Sequence, residues 1–100
     1  MMINFSTDER LKIRLPDLTR DWNGYTPHEK EKILMEWEKI RGTIPDRIKE
    51  LEVEIENLLT DLSEEDDFER SCMINERISD RASTINDLWI WYRTNPEIHA

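Results

Sequence analysis

The densest set of metal-binding atoms in the chain is the acidic run Glu64-Glu65-Asp66-Asp67, with Glu69 just beyond it. A calcium loop needs oxygen ligands at set positions and usually a glycine for its sharp turn. The run follows neither pattern. Acids there fit a helix start better, where carboxylates cap free N–H groups and face the positive end of the helix dipole. His28 and His99 have no partner at ligand or catalytic spacing. Cys72 is the only cysteine, which rules out an intramolecular disulfide and a thiolate cluster. A helix start nearby could lower its pKa, but the surrounding acids oppose this, and an inert role at a core edge is expected. With only Gly24 and Gly42, no glycine-rich phosphate loop can form. The residue types therefore point to no catalytic group, no metal and no cofactor, and the expectation is a protein that is not an enzyme.

Aromatic side chains are the other chemical resource. Trp22, Trp37, Trp89 and Trp91 are four tryptophans in one hundred residues, a density found in cofactor pockets and at interface hot spots. Trp89 falls on an apolar stripe, so core packing accounts for it. Trp91 lies roughly 200° away around the same helix and is expected at a contact with the first helix, a second subunit or a partner.

Three helices must position these groups. Thr26, Pro27 and Glu29 form a helix-start signature, and Ile33, Leu34, Trp37 and Ile40 follow at helical spacing, with Gly42 as the expected stop. This gives a helix over about 27–41. A second, over about 45–62, carries Ile48, Leu51, Ile55, Leu58 and Leu62 at alternating spacings of three and four. A third, over about 67–94 and ending before Asn95-Pro96, carries Phe68, Ser71, Asn75, Ile78, Ala82, Ile85, Trp89 and Tyr92 at the same spacings. The short polar link between the second and third forces them antiparallel. Asn75 is then a polar seam position that either sets register or faces water, and Arg77 and Arg81 are placed to pair with acids of the second helix. Residues 1–25 read as an N-terminal arm. Leu11, Ile13 and Leu15 alternate like a strand, but with no partner strand evident a short helix or extended arm is favoured. The expected fold is all-α: a long, coiled-coil-like antiparallel hairpin plus a shorter N-terminal helix, with residues 26–100 as the helical domain.

Composition agrees with long helices carrying narrow apolar stripes. Hydrophobic and charged residues each make up 37% of the chain. The net charge is −9, and all of it falls in residues 46–100, since the acids and bases of residues 1–45 balance. Such a surface repels nucleic-acid phosphates and anionic membranes, so neither is an expected partner. No run is long and apolar enough to span a membrane, the first residues do not resemble a signal peptide, and a cytoplasmic location is the simplest expectation. Apolar residues outnumber what one hairpin can bury. Trp37, Leu59, Met73, Ile74, Ile90 and Trp91 are the candidate interaction surface, and a homodimer completing a larger bundle is the expected arrangement.

Residues 68–78 (Phe-Glu-Arg-Ser-Cys-Met-Ile-Asn-Glu-Arg-Ile) and the acidic, leucine-rich helix before them resemble the UVR motif, the helical hairpin of the bacterial excision-repair proteins UvrB and UvrC. Phe68-Glu69, the small pair Ser71 and Cys72, and Ile78 match its spacing. Asn75-Glu76 departs from the motif's Arg-Asp, and the turn looks about one helical turn longer. The resemblance spans residues 48–78 and implies a hairpin that binds other hairpins. Carboxylates four apart, Glu50 with Glu54 and Glu76 with Asp80, also resemble the magnesium-holding acids of all-α nucleotide pyrophosphatases. Here, however, Glu50, Glu76 and Asp80 should point outward and not converge. The expected function is an acidic helical protein–protein interaction module that self-associates. Alternatives are a nucleic-acid mimic that occupies a DNA- or RNA-binding protein, and a metal-dependent nucleotide hydrolase.

Overall fold

The helix start at Thr26 forms as a reciprocal cap. The Thr26 hydroxyl accepts from the Glu29 amide at 3.1 Å, and the Thr26 amide donates to the Glu29 carboxylate at 2.8 Å. In the computed structural model, which describes residues 5–17 and 21–94, this cap opens α1 (Pro27–Arg41), followed by α2 (Ile44–Glu64) and α3 (Phe68–Tyr92). Asn95-Pro96 and His99 lie outside the described residues. α2 and α3 pack along each other as an antiparallel hairpin. Asp67 caps α3 by accepting from the Glu69 amide at 3.0 Å, as the acid-rich turn suggested.

The fold is mostly helical but not purely all-α. Residues 5–16 form a β-hairpin, β1 (Phe5–Asp8) and β2 (Ile13–Pro16), paired antiparallel with Phe5 opposite Pro16 and Asp8 opposite Ile13. The strand-like alternation through Leu15 thus has a partner in Phe5–Asp8, and the short helix or arm expected there does not form. Asp8 decides this locally. Its carboxylate accepts from the amides of Arg10 and Leu11 at 2.9 and 2.8 Å, and its carbonyl accepts from Lys12 at 2.7 Å. Lys12 adopts φ of 59° to close the turn. Those bonds occupy the amides that a helix from Ser6 would have used.

α1 stops where expected, with Gly42 at its C-cap. Gly42 sits at φ −63°, ψ −19°, right-handed helical backbone, and Thr43 is likewise helical. What separates α1 from α2 is Pro45, which has no N–H to offer the Arg41 carbonyl and crowds it. α1 therefore runs into α2 through a bend. The molecule is a rod of 59 × 21 × 21 Å.

The core sits at the base of the α2–α3 hairpin, where all three helices meet the β-hairpin. Ile33, Trp37, Ile44 and Leu88 are its most completely buried side chains. Leu11 and Ile13 cover Ile40, Ile44, Ile48, Leu51 and Leu88, so helix one shares that task with the N-terminal strands. The tip of the β-hairpin is tied to both long helices. Arg47 of α2 donates to the Leu11 carbonyl at 3.0 Å, and Arg10 donates to Asp87 and Ser83 of α3 at 2.6 and 3.0 Å. A second cluster, Trp22, Tyr25 and Ile33, packs the start of α1 against Phe5.

Candidate interaction face

The geometry of α3 follows from which of two apolar stripes α2 covers. Phe68, Asn75, Ala82 and Trp89, read from sequence as seam residues, are exposed, Phe68 by 80%. The seam instead uses Ile74, Arg81 and Leu88 between Ser71, Ile78 and Ile85. The helix is turned so that Ile74, Arg81 and Leu88 point inward in place of Asn75, Ala82 and Trp89, while Ser71, Ile78 and Ile85 keep their expected places. This seats Leu88 at full burial in place of Trp89, and Ile74 in place of Asn75, which removes an amide from the interface. Two polar residues of α3 now turn inward: Arg81, half-buried and paired with Glu54 at 3.1 Å, and Thr84, buried with its hydroxyl donating to the Asp80 carbonyl at 2.8 Å. Asn75 faces water and sets no register within the chain.

That rotation reassigns the six candidate interface residues. Trp37 is buried, 2% exposed, and Trp91 packs edge-on against it with ring centroids 5.8 Å apart. Trp91, partly buried, thus meets the first helix, one of the contacts expected for it, and the two rings close the base of the chain on itself. The Trp37 indole donates to the Thr94 carbonyl at 3.0 Å, and Arg41 donates to the Tyr92 carbonyl at 3.2 Å while lying 5.0 Å over the Tyr92 ring. Helix ends leave carbonyls unpaired and attract cations. α3 has no basic residue in its last turn, so α1 supplies the cation. The hydrogen bond to Glu38 and that carboxylate's charge hold the Arg41 pKa above its ordinary value. Ile74 is half-buried in the seam. Leu59, Met73 and Ile90 remain exposed, each by about half. Met73 lines a groove between the helices with Leu58, Ile74 and the charged Asp61, Glu64 and Arg70.

The more continuous feature lies on the other side of α3. Phe68, Cys72, Asn75, Ser79, Ala82, Asn86 and Trp89 are all exposed. At 100° per residue they share an arc of about 100°. None is charged, in a chain where more than a third of residues are. Trp89 is held in place by an edge-on contact with Tyr92, ring centroids 5.5 Å apart. Arg93 extends the stripe at one end, and the acidic turn lies at the other. Sequence reading placed Phe68 and Trp89 inside. The contrast of Ile74 and Leu88 with Asn75 and Trp89, as rival seam positions, was the signal that could have put them outside.

Cys72 is a free, exposed thiol. Among the described residues no group of three or more His, Cys, Asp or Glu comes close enough to hold a metal ion, and no helix is long and apolar enough to cross a membrane. Comparison with known protein families, curated proteins and solved structures finds no match to this chain.

Proposed function

We propose that this chain is a helical interaction module whose docking surface is the open side of the α2–α3 hairpin. The observation that carries the reading is the exposure of Phe68 and Trp89 at the two ends of an uncharged stripe on a strongly acidic molecule. Large aromatic side chains left in water at such positions are characteristic interface anchors. Leu59 of α2 lies exposed near the same end as Phe68 and widens the apolar surface. The rest of the chain supports this role mechanically: the β-hairpin and α1 brace the base, leaving the arm to project. The resemblance of residues 48–78 to the UVR hairpin points the same way. The acids needed by the mimicry reading are spread around both helices and interleaved with Arg70, Arg77 and Arg81, so no one face favours it.

The test compares the native chain with the double variant Phe68→Ser/Trp89→Ser, each immobilised and exposed to host extract and to its own free chain. Retained proteins should be lost in the variant while its helical circular dichroism stays native-like. Equal retention by both would remove the basis of the reading.

A further inference from the structure

Resting on that docking face, we infer that its partner is a second copy of the chain, with the two α3 helices lying antiparallel about a twofold axis at Ser79. The stripe is nearly symmetric in size about that residue. Phe68 meets the partner's Trp89, Cys72 meets the partner's Asn86, Asn75 meets the partner's Ala82, and Ser79 meets its own copy. The bulky residues stand at the ends and small ones in the middle, where helix axes come closest and side-chain size sets their separation.

Charge selects both direction and register. A chain of net charge −9 repels its copy unless acids are kept apart or paired. In the antiparallel arrangement Arg93 reaches the partner's acidic turn at Glu65 and Asp66. Arg10, held on Ser83 and Asp87, comes level with the partner's Glu76. Both contacts occur twice by symmetry. A parallel pair would set acidic turn beside acidic turn and Arg93 beside Arg93, with neither contact between opposite charges. Sliding the antiparallel pair by half a heptad, toward Glu76, would set Glu76 beside its own copy. Face-to-face packing that included α2 would bring Glu52 against the partner's Glu56, so the contact is made through α3, with the α2 helices splayed apart. One helix pair of this length makes a modest interface, and dimerisation in the micromolar range is expected.

The experiment is sedimentation velocity across the micromolar range together with disulfide scanning of the full chain. A cysteine pair can close only when the α-carbons approach within about 7 Å. Oxidised with copper–phenanthroline, Ser79→Cys in a Cys72→Ser background should form covalent dimers. Asn86→Cys with native Cys72 should do so as well, and Glu76→Cys in the Cys72→Ser background should not. Native Cys72 lies about 20 Å along the axis from its own copy in this arrangement, so the unaltered chain should not cross-link. Phe68→Ser should weaken association at least about tenfold. Self-cross-linking through native Cys72 would show a parallel pair and overturn the inference. A chain that stays monomeric throughout also overturns it. If such a monomer still retains another protein through Phe68 and Trp89, the docking reading survives without the self-pairing; if it retains nothing, both fail.

Discussion

Leu88 and Trp89 are adjacent and have opposite environments. Leu88 is fully buried among Ile44, Ile48 and Leu51, whereas Trp89 is 39% exposed with its edge on Tyr92. Removing the Leu88 side chain leaves a cavity between helices that are held apart by the residues around it. Leu88→Ala should therefore cost about 3 kcal/mol. Trp89→Ala removes a ring that keeps 39% of its surface in water and packs its edge on Tyr92, and should cost about 1–2 kcal/mol, less than Leu88→Ala, once dissociated chains are compared. Urea denaturation at low protein concentration measures both. A larger loss for Trp89→Ala would mean that α3 is rotated the other way. Gly42 gives a stabilising counterpart. Its backbone is ordinary right-handed helix, and an added Cβ would meet only the Glu38 and Lys39 carbonyls at 3.5 Å, normal contact distance. Gly42→Ala should raise stability by about 0.4–1 kcal/mol, chiefly by restricting the unfolded chain, and thermal melting would register it. A left-handed glycine at this position would make the same substitution destabilising.

Along the α2–α3 hairpin, burial falls with distance from the base. Ile48, Leu51 and Leu88 are buried, whereas Ile55, Leu58, Leu62, Ile74 and Ile78 are only half-buried and no third layer covers them. Segments with few buried apolar contacts open at lower free energy. Amide hydrogen exchange should accordingly be slowest around residues 44–51 and 84–88 and faster towards the 65–67 turn, with the outer arm protected further as chain concentration rises. Uniform protection along both helices at low concentration would contradict this gradient. The three helices and their antiparallel turn were legible in sequence because spacing and capping residues are local signals. The α2 stripe was also read correctly, since Ile48, Leu51, Ile55, Leu58 and Leu62 have no rival. α3 offered two overlapping stripes, and periodicity alone could not choose between them. The choice depends on what α2, α1 and the β-hairpin leave uncovered. The β-hairpin itself was missed because Phe5–Asp8 is only four residues long, and its pairing rests on the Asp8 turn rather than on a hydrophobic pattern.

At the scale of the whole chain, shape distinguishes the ways two copies could meet. The radius of gyration is 17.8 Å, well above the roughly 13 Å of a compact hundred-residue domain. The turn at residues 65–67 marks one end of the 59 Å rod, and α1 with the β-hairpin fills the other. Ser79 stands about 20 Å from the turn end at 1.5 Å per residue, so an antiparallel pair centred there extends the longer remainder of each rod in opposite directions. Its greatest dimension should be roughly 80 Å by the same helical rise. Two rods aligned in parallel would stay near the length of one. Small-angle X-ray scattering of the native chain at high concentration should therefore show an elongated dimer, and Phe68→Ser/Trp89→Ser should return the single-rod profile. A scattering mass of two chains with no gain in length would exclude the Ser79 axis, because only a parallel arrangement or a far-shifted register keeps both ends within one rod's span.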